Sequence, residues 1–195
     1  MTSTPANSAI DVCSRALILI GAEPITSFDD NTTEALVAVN MYEDIAQASL
    51  ASMRWRFATE QSQLSRLVAA PTGRYDAAYQ LPANMLMLNT ATVNDQNVEY
   101  TIYGDKLFCN ISDQDELVAD YIYRALEVDW PSYFTLAVEY QLASIFASAI
   151  ARNETLTQLM DIKFRDAMAR ARSLDSQQNT TRKLTTSRFI TERLS

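Results

Sequence analysis

The hydrophobic residues of this chain change period twice, and that double switch constrains the fold more than any other feature. Ile10, Cys13, Leu17 and Ile20 recur at helical spacing, with Ala9 and Ala16 on the same face. Leu36, Val39, Tyr42, Ile45, Ala46 and Leu50 repeat the pattern. Between residues 75 and 124 the spacing turns strand-like: Met85 to Leu88 is an apolar run, and Val98 to Tyr103 alternates as a half-buried strand does. Leu117 to Tyr123 is the last strong strand. Helical spacing then returns in Phe134, Ala137, Val138, Leu142, Ile145, Phe146 and Ile150, and again in Leu156, Leu159, Met160, Phe164 and Ala167. The expected class is α+β. About four helices, in the stretches 5–53 and 130–174, form an antiparallel bundle that flanks an inserted antiparallel β-sheet of four to five strands at 75–124. Residues 1–174 read as one domain, and residues 175–195 as a separate basic tail.

Local signals place the boundaries. Thr4-Pro5 suits the start of a first helix. Gly21 stands where a left-handed cap ends it, and Pro24 blocks continuation. Ile25 and Phe28 anchor the following loop, and Asn31 or Thr32 caps a second helix that ends near Met53. Arg56 to Leu64 reads as extended, Asn94-Asp95-Gln96-Asn97 as a turn, Gly104-Asp105 as a tight hairpin and Ser112 to Asp115 as another turn. Asp129 or Trp130 opens the third helix with Pro131 in its first turn. Asn153 caps the fourth, whose Arg165, Arg170 and Arg172 suit its C-terminal end.

Composition removes several kinds of chemistry. There is no histidine among 195 residues, so the commonest general base and metal ligand is missing. Three glycines form no phosphate-cradling loop, and no Gly-x-Ser-x-Gly occurs. Cys13 and Cys109 lie far apart and read as buried apolar residues rather than a disulfide or zinc pair. No apolar run approaches the roughly 18 residues of a membrane span. The N-terminus has no signal-peptide pattern, so a cytoplasmic site of synthesis is expected. The net charge of −8 argues against general nucleic-acid binding.

The acidic clusters read as solvated: Glu34, Glu43 and Asp44 on the second helix, Glu23 with Asp29-Asp30 in a loop, and Asp113-Gln114-Asp115-Glu116 as a charged turn without an EF-hand's Gly and distal Glu. Trp55 and Trp130 each adjoin a helix boundary. Interface anchors are one reading, and core packing where helices meet the sheet is the favoured one. The tail mixes cations with apolar residues: Arg182, Lys183, Leu184, Arg188, Phe189, Ile190, Arg193 and Leu194. It reads as a segment that orders on a partner, with a frayed end as the alternative.

Three stretches carry a family resemblance. Met53-Arg54-Trp55-Arg56-Phe57-Ala58 is followed by Tyr79-Gln80-Leu81-Pro82-Ala83-Asn84-Met85. Upstream stands Ile20-Gly21-Ala22-Glu23-Pro24-Ile25-Thr26-Ser27-Phe28, and downstream Trp130-Pro131 introduces the long helical segment. In order and spacing these resemble the tail tubular protein A family of podophages, the head-to-tail adaptors, over residues 8–174. The resemblance implies a non-enzymatic virion protein of the neck, assembled in the host cytoplasm. It implies a dodecameric ring between the portal and a tail nozzle resembling tail tubular protein B. DNA passes through its lumen at ejection without specific binding, and no cofactor or metal is implied. On that reading the basic tail (Arg182, Lys183, Leu184, Arg188, Phe189, Ile190, Arg193, Leu194) docks on the portal. The turns at Asn94, Asp95 and Asn97 and at Gly104 and Asp105 face a neighbour or the nozzle. Two alternatives are a tail-borne carbohydrate- or peptidoglycan-cleaving enzyme, needing two carboxylates about 5–10 Å apart in a cleft, and a helical binding module unrelated to virions.

Overall fold

In a computed structural model, which describes residues 5–69, 71 and 73–178, the period switches translate directly into elements. The order is α1 (Ala9–Leu19), α2 (Thr33–Ala51), β1 (Thr59–Gln63), β2 (Ala77–Gln80), β3 (Met85–Val93), β4 (Gln96–Asn97), β5 (Tyr100–Tyr103), β6 (Lys106–Cys109), β7 (Val118–Tyr123), α3 (Ser132–Ala149) and α4 (Glu154–Gln177). Single 3₁₀ turns at Arg56–Ala58 and Glu127–Asp129 lead into β1 and α3. The α+β class holds.

Helix ends follow cap chemistry. The start of α1 differs from the expected Thr4-Pro5. Ser8 is the cap: its hydroxyl oxygen accepts from the Asp11 N–H at 3.2 Å, while the Asp11 carboxylate accepts from the Ser8 hydroxyl at 2.8 Å and from the Asn7 N–H at 3.2 Å. This reciprocal box satisfies several orphan groups at once, which a Thr-Pro pair cannot do. At the other end Gly21 takes φ 77°. Its N–H bonds to the Ile18 carbonyl and that of Ala22 to the Leu17 carbonyl, both at 3.0 Å, the paired closure of a Schellman ending. Thr32 and Asn153 cap α2 and α4 as expected, each accepting from the N–H three residues on, at 3.2 and 3.1 Å. Pro131 is the residue before α3 rather than within its first turn.

The β region corrects the expectation of one sheet with four to five strands. Among the described residues seven strands form two antiparallel sheets, ordered β1-β7-β3-β4 and β2-β6-β5. The stretch 56–64, outside the expected insertion, supplies β1, which pairs with β7 from Thr59↔Ile122 to Gln63↔Val118. Two register shifts, between Met85 and Met87 and between Leu88 and Thr90, interrupt the β3–β7 ladder; extra residues of this kind bend and twist a strand. The tight turns are as expected at Gly104-Asp105, with Tyr103 opposite Lys106. The other turn is shorter than Asn94 to Asn97. Asn94 and Asp95 alone turn, at φ 50° and 63°, and Gln96 and Asn97 are already β4. Two consecutive left-handed residues are what a two-residue hairpin needs to match strand twist.

Two cores result. The helices pack around α3, which touches α1, α2 and most extensively α4; Leu17, Leu50, Trp55, Phe134, Leu142 and Phe146 are fully buried there. Leu64, Tyr79, Leu107, Leu117 and Tyr121 fill the second core, with Cys109. Tyr123 packs against both.

Candidate functional site

Four parts of the surface and of the joint between the cores bear on function. The first is the joint. Arg124, one residue beyond β7, forks onto Glu43 of α2 with Nε–Oε1 at 2.8 Å and Nη2–Oε2 at 2.9 Å. Its Nη2 also meets the Glu127 Oε1 at 2.6 Å. The Tyr42 hydroxyl donates to the same Glu127 oxygen at 2.7 Å, and the guanidinium lies 5.6 Å from the Trp130 ring centroid. The planar fork of Arg suits this bidentate and stacked setting. Glu43 is therefore a bonded partner of Arg124, not simply part of a solvated face; Asp44 remains exposed and Glu34 is half-buried.

The electrostatics follow from these contacts. The bond from Arg124 holds the Glu43 carboxyl below its ordinary value. Desolvation pushes Glu127 up, but Arg124 and Tyr42 together hold it below its ordinary value. Burial, helped by Glu127, raises the Tyr42 phenol. Burial also pushes the Cys13 thiol up to about 12, so it stays a protonated apolar group.

Both tryptophans are core residues. Trp55, Phe57, Phe134 and Trp130 form a contiguous cluster of tilted and edge-to-face rings, with Trp55 and Trp130 each 5.0 Å from Phe134 between centroids. Each indole N–H has a carbonyl partner at 3.0 Å, Ser49 for Trp55 and Ala125 for Trp130.

The second part is the end of α4. Asp175 is 1% exposed and accepts from the Arg56 N–H and from the Tyr133 hydroxyl. Residue 175, the expected start of the tail, is still within α4, which continues to Gln177. Arg182, Lys183, Leu184, Arg188, Phe189, Ile190, Arg193 and Leu194 lie outside the described residues.

The third part is the pair of hairpin tips. Asn94, Asp95 and Asn97 of one sheet and Gly104 and Asp105 of the other are all exposed. Asp105 is engaged locally, its carboxylate accepting from the Gln80 amide at 3.0 Å, which holds that carboxyl below its ordinary value.

The fourth part is a set of large apolar side chains left on the helix surfaces: Leu36 and Val39 on α2, Leu136 on α3, and Leu159, Ile162 and Leu174 on α4. A trough of about 290 Å³ opens between α3 and α4, lined by Leu136, Tyr140, Lys163, Arg170 and Leu174 among others.

Of the acidic loops, Asp113, Asp115 and Glu116 line one surface hollow with Arg66 and Tyr79. Asp30 accepts from the Thr26 and Ser27 N–H groups at 2.9 and 3.0 Å, closing its own loop. Among the described residues no group of three or more His, Cys, Asp or Glu is placed to hold a metal ion.

A family model described as tail tubular protein matches residues 8–183, spanning both helical halves and both sheets. The chain belongs to the tail tubular protein family. No curated protein matches it. Family membership makes this a structural protein of the phage tail and a component of the virion. The parts described above divide into two kinds. The Arg124 cluster and Asp175 tie elements together through distant partners, while the tips and the apolar helix side chains are exposed. Arg124, Glu127 and Asp175 escaped sequence reasoning. A local signal was the i, i+3 pair Arg124–Glu127, but the partners Tyr42, Glu43, Arg56 and Tyr133 lie 42 to 119 residues away from the groups they bond.

Proposed function

We propose that this tail tubular protein is the head-to-tail adaptor of a podophage: a ring, dodecameric by resemblance, that joins the portal to the tail nozzle and surrounds the path of the ejected DNA. The observation that carries the reading is the family match over residues 8–183. The fold is consistent with it. Closing a ring of many copies satisfies every lateral contact and leaves no open end, and the helices carry apolar side chains that a solitary subunit leaves in water.

The four helices are read as one antiparallel bundle and the sheets as its projection; the short link between α3 and α4 supports this. The adaptor domain then extends through Gln178, and the basic residues beyond it form the portal-docking arm. Weak arms engaged collectively gain avidity that one arm lacks. The tips at Asn94, Asp95 and Asn97 and at Gly104 and Asp105 are proposed to meet a neighbour or the nozzle. The net charge of −8 suits a lumen that repels phosphate rather than retaining it. The protein acts without catalysis, and its assembly takes place in the host cytoplasm.

Light scattering tests the reading. Purified protein, alone and mixed with its cognate portal, is expected to convert from a small species to a portal-bound ring. A protein that ignores the portal at micromolar concentration overturns it.

A further inference from the structure

Two exposed helix faces differ in charge and match in chemistry. On α2, Leu36 is 62% and Val39 50% exposed. Beside them Asp29 and Asp30 line the same surface hollow as Leu36 and Val39. On the other face, Leu136 of α3 and Leu174 of α4, 43% and 46% exposed, line the trough that also carries Lys163 and Arg170, with Asp166 between them. The first face carries acidic groups only; the second carries two cations against one carboxylate.

The trough and the groove beside α2, which Leu36 also lines, point in different directions. Along α3, Leu136 and Tyr140 line the trough, while Ile145 and Ser148 line the groove shared with α2. At roughly 100° per residue these pairs point about a third of a turn apart. One copy therefore presents both faces at once, to two different neighbours.

Resting on the ring reading above, we infer that neighbouring copies join head to tail, the α2 face of one (Leu36, Val39, Asp29) seated against the α3–α4 trough of the next (Leu136, Leu174, Lys163, Arg170). Apolar side chains leave water at the centre of the joint, and opposite charges around them fix its register and exclude the like-to-like pairings. Two acidic faces brought together repel, and so do two basic ones, which disfavours like-to-like dimers.

Two full-length variants test this. Leu36→Asp alters the first face, and Lys163→Glu with Arg170→Glu alters the second. All three positions are exposed, and circular dichroism with thermal melting verifies folding. Each variant alone is expected to need about tenfold or more higher concentration to assemble than the unaltered protein, with or without portal. Mixed in equal amounts, the two variants retain one intact joint between them, and a heterodimer near twice 21.9 kDa is expected, with no ring. Asp29→Lys added to the Lys163→Glu and Arg170→Glu chain is expected to restore part of the assembly. Rings formed by either variant as readily as by the unaltered protein, or an equimolar mixture that stays monomeric at concentrations where the unaltered protein self-associates, overturn the inference while leaving the adaptor reading standing. If the unaltered protein never self-associates, even on the portal, the adaptor reading itself fails.

Discussion

Asp175, near the end of α4, accepts the backbone N–H of Arg56 with its two carboxylate oxygens at 3.4 and 3.3 Å. The two residues are 119 positions apart, and their contact pins the last turn of α4 to the corner where the helices give way to the sheet. The Tyr133 hydroxyl donates to the same carboxylate at 3.1 Å, which, after burial, pushes that phenol up to about 12.

Removing this acceptor leaves a backbone N–H and a phenol without their partner. Asp175→Ala is expected to cost about 1–3 kcal/mol, read from the midpoint of urea unfolding. The same logic governs truncation. A chain ending after Gln178 should melt near the full-length temperature and lose portal binding, whereas one ending after Leu174 should melt lower. Equal melting of the two truncations would show that Asp175 anchors nothing.

Arg124 joins β7 to α2 and to the turn before α3. Replacing it with Met keeps an unbranched apolar stem but leaves Glu127, whose side chain is 12% exposed, without its cation. A loss of about 3 kcal/mol is expected, and Glu127→Gln combined with Arg124→Met should recover part of it. A thermal melt of the single and double variants decides.

Acid should act through the same cluster. The carboxyls of Glu43 and Glu127 are held below their ordinary 4.5. The unfolded chain therefore takes up these protons first as pH falls. The stability they confer is complete above about 4.5 and is lost as pH drops through the lower folded values. Glu139 has the opposite sign. Burial raises its carboxyl, against the pull of Arg15, so its contribution to stability falls as pH rises from 4.5 through the raised value. Glu139→Gln is expected to flatten the stability profile just above pH 4.5, and Arg124→Met to flatten it below. Melting temperatures between pH 3 and 7 separate the two effects.

At the tip between β3 and β4, Asp95 is held at φ 63°, a conformation that glycine adopts without strain. Asp95→Gly should stabilise the protein by about 0.5 kcal/mol. If the tip meets the nozzle through its side chains, the same change weakens nozzle binding while raising the melting temperature. Stabilisation with unchanged nozzle affinity removes Asp95 from the contact.

Much of this architecture was legible locally. Thr32 and Asn153 are caps because a side-chain acceptor at the start of an apolar stripe satisfies the first free N–H groups. Gly21 and Gly104 turn where the apolar pattern breaks. The burial of both cysteines and both tryptophans follows from their place among apolar neighbours. The missed start at Ser8 was also local: Ser8 and Asp11 have capping-box spacing, and the Thr4-Pro5 signal obscured it. The division of the strands into two sheets was not local. A period-two pattern says that a segment is a strand and which residues share a face, but not which strand lies beside it. Thr59 meets Ile122 across the whole insertion.

The sequence by itself determined the kinds of element, their order, most of their ends and the family, because caps, turns and hydrophobic periods act over a few residues and the family's stretches keep their spacing. Only the tertiary structure decided that the strands form two sheets, that Arg124 joins Glu43 to Glu127, that Asp175 is buried against Arg56, and which apolar helix residues remain in water. Each of these depends on groups far apart in the chain, and a polar residue with a distant partner has the same local neighbours as one left in solvent.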